Sequence, residues 1–203
     1  HATSAVFAID LDSDGDIDVL HSSVWDNTVA WHKNDGNENF TTYVISSSAG
    51  FAKDVFALDM DGDNDIDIIT VQFTDSKVIW YENDGSENFS SHIVSTQAAN
   101  PGSVHAADLD NDGDVDILSS AHPTTHWHKN DGSQNFTTYA ISGNSDNRTI
   151  IAVDVDSDGD KDVLTASGFS DKIKWFETTI DTTGPTVSGV TSTTDNGTYK
   201  IGD

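Results

Sequence analysis

Asp10-Leu-Asp-Ser-Asp-Gly-Asp-Ile-Asp18 places five aspartates in nine residues, one at every second position. The stretch returns with small changes from Asp59, Asp108 and Asp154, at intervals of 49, 49 and 46 residues. A second marker trails each copy. Trp31-His-Lys-Asn-Asp-Gly36 recurs as Trp80-Tyr-Glu-Asn-Asp-Gly85 and Trp127-His-Lys-Asn-Asp-Gly132. The fourth copy keeps Trp175 and continues as Phe-Glu-Thr-Thr. A fixed period of about 48 residues predicts a repeat architecture, in which each unit buries its apolar face against the next.

Within a copy the pattern is strands and turns. In the first, residues 5–9, 17–24, 28–33 and 40–46 read as strands, rich in β-branched and aromatic side chains. The aspartate loop joins the first two. Asn34-Asp35-Gly36 is a tight hairpin signal, because glycine supplies the positive φ that such turns require. No helical period competes. Four antiparallel strands per unit predict an all-β chain of β-propeller blades. The blades are expected at about 1–49, 50–98, 99–145 and 146–180. Residues 181–203 break the repeat: Asp181-Thr-Thr-Gly-Pro185 reads as a linker. The Thr/Ser/Val-rich stretch after it, with an Asn196-Gly197 turn, reads as the opening hairpin of a further β-domain.

Charge narrows the function classes. The 203 residues hold 9 Lys+Arg against 35 Asp+Glu, a net charge of −26. Nucleic acid is excluded as a partner, since binding it needs clustered basic residues. An anionic membrane surface is disfavoured for the same reason, and no apolar run is long enough to insert. Cysteine is absent, so disulfides, thiolate metal sites and cysteine nucleophiles are absent too. Five Trp, nine Phe and four Tyr argue against a disordered acidic tail. His1 reads as a processed or trimmed end.

The negative charge is concentrated. Twenty of the 35 acidic residues sit in the four loops. Two carboxylates 5 Å apart repel by about 3 kcal/mol at an effective dielectric near 20. Five in one loop therefore call for a cation, and all-oxygen ligands on a flexible loop favour Ca²⁺. Alternate positions 1, 3 and 5 aim side chains at one point. Position 6 is glycine in three copies (Gly15, Gly113, Gly159) and Asn64 in the second, the next best residue for a left-handed backbone. The expected ligand sets are Asp10, Asp12, Asp14 and Asp18; Asp59, Asp61, Asp63 and Asp67; Asp108, Asp110, Asp112 and Asp116; and Asp154, Asp156, Asp158 and Asp162. By analogy with the EF-hand loop, Asp16, Asp65, Asp114 and Asp160 offer backbone carbonyls. About four Ca²⁺ are expected, one per repeat.

These two motifs resemble the FG-GAP/VCBS-type repeat, over about residues 1–178. The resemblance implies a calcium-binding propeller of the kind found in integrin α chains and in bacterial surface and secreted proteins. Family propellers usually have seven blades against four here, and the Phe-Gly…Gly-Ala-Pro signature is missing. The tail resembles the start of a bacterial immunoglobulin-like module. Both ends read as cut from a longer chain, with the ring completed by further blades or by other copies.

Other signals are weaker. His122, His126 and His128 flank Trp127, and two of them on one strand face would suit Zn²⁺. His32 and His128 share a repeat position, held by Tyr81 in the second copy, and read as surface aromatics. Trp31, Trp80, Trp127 and Trp175 read as inter-blade anchors, with sugar stacking as the alternative. Candidate glycosylation sequons begin at Asn39, Asn88, Asn135, Asn147 and Asn196. No serine elbow, phosphate loop or His-Glu-x-x-His motif is present, so no enzyme is expected. The expected role is adhesion to an extracellular protein or glycan. The alternatives are a subunit of an extracellular filament, pairing with further copies of itself, and an accessory module of a polysaccharide-degrading enzyme.

Overall fold

The computed structural model describes residues 3–142, 147–168, 172–178 and 198–201. These are all β, with four sheets of four strands and no helix. The chain divides into two units, His1–Pro101 and Gly102–Asp203, each holding two sheets.

In the first unit one sheet is β1 (Thr3–Ile9), β2 (Asp18–Ser23), β3 (Thr28–Asn34) and β4 (Phe40–Ser46). Its repeat is β5 (Ala52–Leu58), β6 (Asp67–Gln72), β7 (Lys77–Asn83) and β8 (Phe89–Ser95). Both are plain meanders in chain order, antiparallel throughout. Short connections dictate this, because only antiparallel neighbours can be joined by a tight turn. Gly36 and Gly85 each have φ near +73°, in the turns that the Asn-Asp-Gly signal predicts.

The two sheets meet through their first strands. Phe7 on β1 and Phe56 on β5 meet at a tilt of 57° with ring centroids 4.9 Å apart. Leu20, Trp31, Val55, Ile68 and Tyr81 belong to the apolar core against which Phe7 packs. Val29 and Trp31 share the buried face that strand alternation predicts. Each such side chain contributes about 1.5–3 kcal/mol on burial.

The second unit repeats the plan. Its sheets are β9 (Ser103–Ala107), β10 (Asp116–Ser120), β11 (Thr125–Asn130) and β12 (Phe136–Ser142), then β13 (Asn147–Val153), β14 (Asp162–Ser167), β15 (Ile173–Thr178) and β16 (Thr198–Ile201). Leu118, Trp127, Ile141, Ile150, Val163 and Phe176 form its core. The last sheet departs from the pattern, because β16 pairs parallel to β15. Parallel neighbours need a long connection, and here it spans residues 179–197, outside those described. The sequence reading placed residues 198–201 in a following module, whereas they supply the outer strand of the fourth sheet.

One sequence expectation needs correction. His128 is not a surface aromatic but is fully buried. Its ring bridges three strands, with Nε2 2.9 Å from Ser119 Oγ on β10 and Nδ1 2.9 Å from Thr138 Oγ1 on β12. His32 makes the equivalent reach, to His21 (2.7 Å) and Thr42 (2.9 Å), at a half-exposed site. Hydroxyl partners on both sides let an imidazole sit inside a sheet as a neutral group. His126 stacks on His128 with centroids 5.9 Å apart. Among the described residues no third ligand joins them to make a zinc site.

Burial pushes the His128 imidazolium down from 6.5 to about 3. An unfolded chain takes up that proton near pH 6.5 and the folded chain does not. Stability is therefore lost as pH falls through this window, by at most about 1.4 kcal/mol per pH unit from this group. His128→Gln is expected to show a smaller drop in melting temperature between pH 7 and pH 5 than the unaltered chain. An equal drop in both would show that His128 does not carry the acid sensitivity.

Candidate metal centres

Each aspartate loop turns between the first and second strand of its sheet. Two residues in every loop have left-handed backbone. In loop one they are Ser13 (φ 61°) and Gly15 (φ 96°); in loop two, Gly62 (φ 80°) and Asn64 (φ 74°). Loops three and four follow with Asn111 and Gly113, and with Ser157 and Gly159. Asn64 thus stands in for glycine as the sequence suggests, and glycine moves to the other left-handed position.

The first aspartate of the loop organises this turn. Asp10 accepts from the Asp14 and Gly15 amides at 3.1 and 2.9 Å. Asp59 accepts from Gly62 and Asn64, Asp108 from Gly113, and Asp154 from Ser157 and Gly159. The fifth residue braces the seventh: Asp14, Asp63, Asp112 and Asp158 each accept from the amide two residues on, at 2.9–3.0 Å.

The ninth aspartate is a different kind of residue. Asp18, Asp67, Asp116 and Asp162 are completely buried. One oxygen of each accepts from the amide of the second loop residue, at 3.1–3.3 Å (Leu11, Met60, Leu109, Val155). The other accepts from the amide ending the third strand, at 2.7–2.9 Å (Asn34, Asn83, Asn130, Thr178). The partner residue then ties back to the loop. Asn34, Asn83 and Asn130 donate their side-chain amides to the carbonyls of Ile17, Ile66 and Val115. In the fourth copy Thr178 Oγ1 does the same to Lys161, at 2.7 Å. The sequence marks the asparagines only as turn residues. Thr178 carries no local signal of this role beyond its register after Trp175.

The side chains at position seven turn away from this knot. A Cβ on Gly36, Gly85 or Gly132 would strike the carboxylates of Asp16, Asp65 and Asp114. Those glycines serve the hairpin φ and leave room for the carboxylate at once. Asp160 takes a different partner, the Asn111 amide of loop three, at 3.0 Å.

Carboxylate oxygens converge in all four loops. Asp10, Asp12 and Asp18 offer ligand atoms within 4.8 Å of one another, as do Asp154, Asp156 and Asp162. In loops two and three the converging sets are Asp59, Asp61 and Asp63, and Asp108, Asp110 and Asp112. Of each expected set of four, three converge: Asp14 and Asp158 stand outside the clusters of loops one and four, and Asp67 and Asp116 outside those of loops two and three. Such clusters can hold a metal ion. At the dielectric used above, each pair in them repels by about 3 kcal/mol. Asp12 Oδ1, Asp108 Oδ1 and Asp110 Oδ1 are buried and accept no hydrogen bond. A buried carboxylate oxygen with no hydrogen bond is free to take a cation as its partner. Burial pushes Asp67 up to about 7, against the Asn83 amide, and Asp116 up to about 7, against the Asn130 amide. Burial also raises Asp61, with the Asp63 carboxylate adding to it. A hard divalent cation fits this donor set.

Lysines enter two of the loops. Lys33 pairs with Asp12 and, across to the second sheet, with Glu87 at 2.8 Å. Lys129 pairs with Asp110 and, at 3.0 Å, with Asp112. Donating hydrogen bonds to Asp12 first, then to Glu87, holds Lys33 above the usual lysine range.

The remaining candidates sort plainly. Asn39, Asn88 and Asn135 are exposed, but each donates its side-chain amide to Asp35, Asp84 or Asp131 and so closes its own hairpin. The side chain of Asn147, and Asn196 altogether, lie outside the described residues. Trp31, Trp80 and Trp127 are buried, which removes them as sugar platforms. Trp25, which no repeat position matches, is 69% exposed and tilts over Phe51 at 5.9 Å.

This is an all-β, propeller-like protein whose repeated acidic turns are candidate metal centres. Residues 10–70 and 59–119 match the FG-GAP-like repeat, and these overlapping spans cover more than half of the chain. The chain belongs to that family. No curated protein sequence matches it. Among solved structures it resembles an Agrocybe aegerita lectin, described as recognising non-reducing terminal N-acetylglucosamine, at 16% identity and a TM-score of 0.56. It also resembles part of the Photorhabdus luminescens Tc holotoxin pore, at 19% identity and a TM-score of 0.51. The matches cover 80% and 84% of this chain. They span 46% of the lectin and 9% of the toxin chain. At such identities the likeness is one of fold. Among the described residues no helix is long and apolar enough to cross a membrane.

The two aspartate classes are expected to respond differently to alanine, measured by denaturant unfolding in EDTA. Asp67→Ala strands two buried amides and should cost about 3 kcal/mol or more. Asp61→Ala relieves repulsion and should cost little or stabilise. Equal losses would contradict the division into a latch and a ligand cluster.

Proposed function

We propose that this chain is a non-catalytic, calcium-binding repeat region of an extracellular or cell-surface protein, and that it mediates adhesion to protein or glycan. The observation that carries the reading is the recurrence of converging carboxylates in four loops, joined in loops one and three by buried oxygens left unpartnered. Asp10, Asp12, Asp14 and Asp18 and their counterparts hold the ion. Asp16, Asp65, Asp114 and Asp160 contribute at most their backbone. Four Ca²⁺ would bring the net charge from −26 to −18. Loops of this kind in extracellular modules bind at about 10⁻⁴–10⁻³ M, which suits fluid outside cells rather than cytosol. The ion supplies positive charge to the loop and couples its folding to calcium.

The glycan branch rests on Trp25. An exposed indole beside Asp26 and Asn27 offers a stacking face with polar neighbours, which is how apolar sugar faces are commonly held. The fold likeness to a lectin agrees with this branch without specifying the sugar.

Thermal melting at constant ionic strength separates the possibilities. About 2 mM CaCl₂, above the affinity range quoted, should raise the melting temperature well above that in EDTA. No shift would reduce the loops to acidic turns and remove the calcium reading. On a glycan array, binding lost in Trp25→Ala but kept in Trp175→Phe is expected for the glycan branch. Binding that is indifferent to Trp25 would move the contact to another surface.

A further inference from the structure

The residue two places after the repeated tryptophan alternates in charge. It is Lys33, Glu82, Lys129 and Glu177 in the four copies. The third strand ends beside the acidic loop of its own sheet, because the buried ninth aspartate ties the two together. That side chain is therefore placed to add charge to the loop. The two lysines do so. Lys33 Nζ meets Asp12, and Lys129 Nζ meets Asp110 and Asp112.

Asp12 and Asp110 both hold position three of their loops. Their side chains are only 8% and 9% exposed. In each, one oxygen meets the lysine and the other, Oδ1, is buried without a hydrogen bond. The lysine thus satisfies half of a carboxylate that converges with its neighbours on an ion-sized point. In loops two and four, among the described residues, no lysine or arginine pairs with Asp59, Asp61, Asp63, Asp154, Asp156 or Asp158. Glu82 instead pairs with His92 on β8, at 2.6 Å. Lys161 lies within loop four but is exposed, and among the described residues it makes no ion pair.

We propose that Lys33 and Lys129 are built-in counter-ions of loops one and three, which a divalent cation must displace or tolerate, so that the four loops form two classes of calcium site. This rests on the calcium reading above. Loops two and four fill first. Loops one and three fill at higher calcium, because a lysine at contact distance both repels the ion and shares a ligand. Lys33 also bridges to Glu87 in the next sheet, so filling loop one loosens a sheet-to-sheet tie that filling loop two leaves alone.

Calorimetric titration of the apo chain with CaCl₂ alone tests this. The expected curve has two classes of about two ions each, separated by about tenfold or more in Kd. Lys33→Gln with Lys129→Gln should tighten the weak class by a similar factor and merge the two. A gain of affinity does not arise from misfolding, and circular dichroism checks the fold of the variant. Glu82→Lys should move one ion from the tight class to the weak one. Four equal sites, or a titration unchanged by losing both lysines, would overturn the two-class inference and leave the calcium reading standing. No calcium binding by the unaltered chain would overturn both.

Discussion

The four sheets depend on one buried carboxylate apiece. Asp18, Asp67, Asp116 and Asp162 are fully enclosed, and each accepts from an amide in its own loop and from the amide that ends the third strand. A carboxylate stays inside a protein only when hydrogen bonds or a cation replace its water. Backbone amides do most of that work here. The result is a fixed angle between loop and strand, and so a fixed place for the other aspartates.

Ligand geometry follows from that latch. With the ninth residue pinned, two left-handed residues curl the loop, and positions one and three converge with position nine in loops one and four and with position five in loops two and three. The glycines of the Asn-Asp-Gly hairpin stand against the seventh residue, so the hairpin and the acidic loop pack as one body. The two repeated motifs, separate in sequence, are one structural element. Their common inheritance in the first three copies has that physical basis. In the fourth, Thr178 replaces the asparagine's side-chain bond, and the Asn-Asp-Gly sequence is absent.

The charge of the chain is likewise organised rather than diffuse. Carboxylates that crowd within 4.8 Å raise the free energy of the empty loop, and a bound cation lowers it again. Where lysines enter the cluster, part of that compensation is internal. Function on such a scaffold lies in what the loops and their neighbours present, as at Trp25, since the buried tryptophans hold the sheets and present nothing.

The period, the strands and the turn residues were legible in the sequence, because they depend on local rules: alternation, left-handed glycine and asparagine, and carboxylate spacing. Residues 40–46 and the φ of Asn64 came out as those rules require. Asp18 and its equivalents read as ligands, and Asp18 and Asp162 do converge with the other loop carboxylates; that all four are also buried latches was not legible, because one amide that holds each comes from a strand end 14–16 residues away. His128 read as exposed because its hydroxyl partners lie on two other strands. The parallel pairing of β16 was equally invisible, since no local pattern encodes which strand a returning segment joins. The sequence alone determined the repeat, the blade and the acidic loop, each the product of interactions within a few residues. Tertiary structure decided which carboxylates are buried latches, which converge with one another and which meet a lysine, because burial and partnership arise only when distant strands meet.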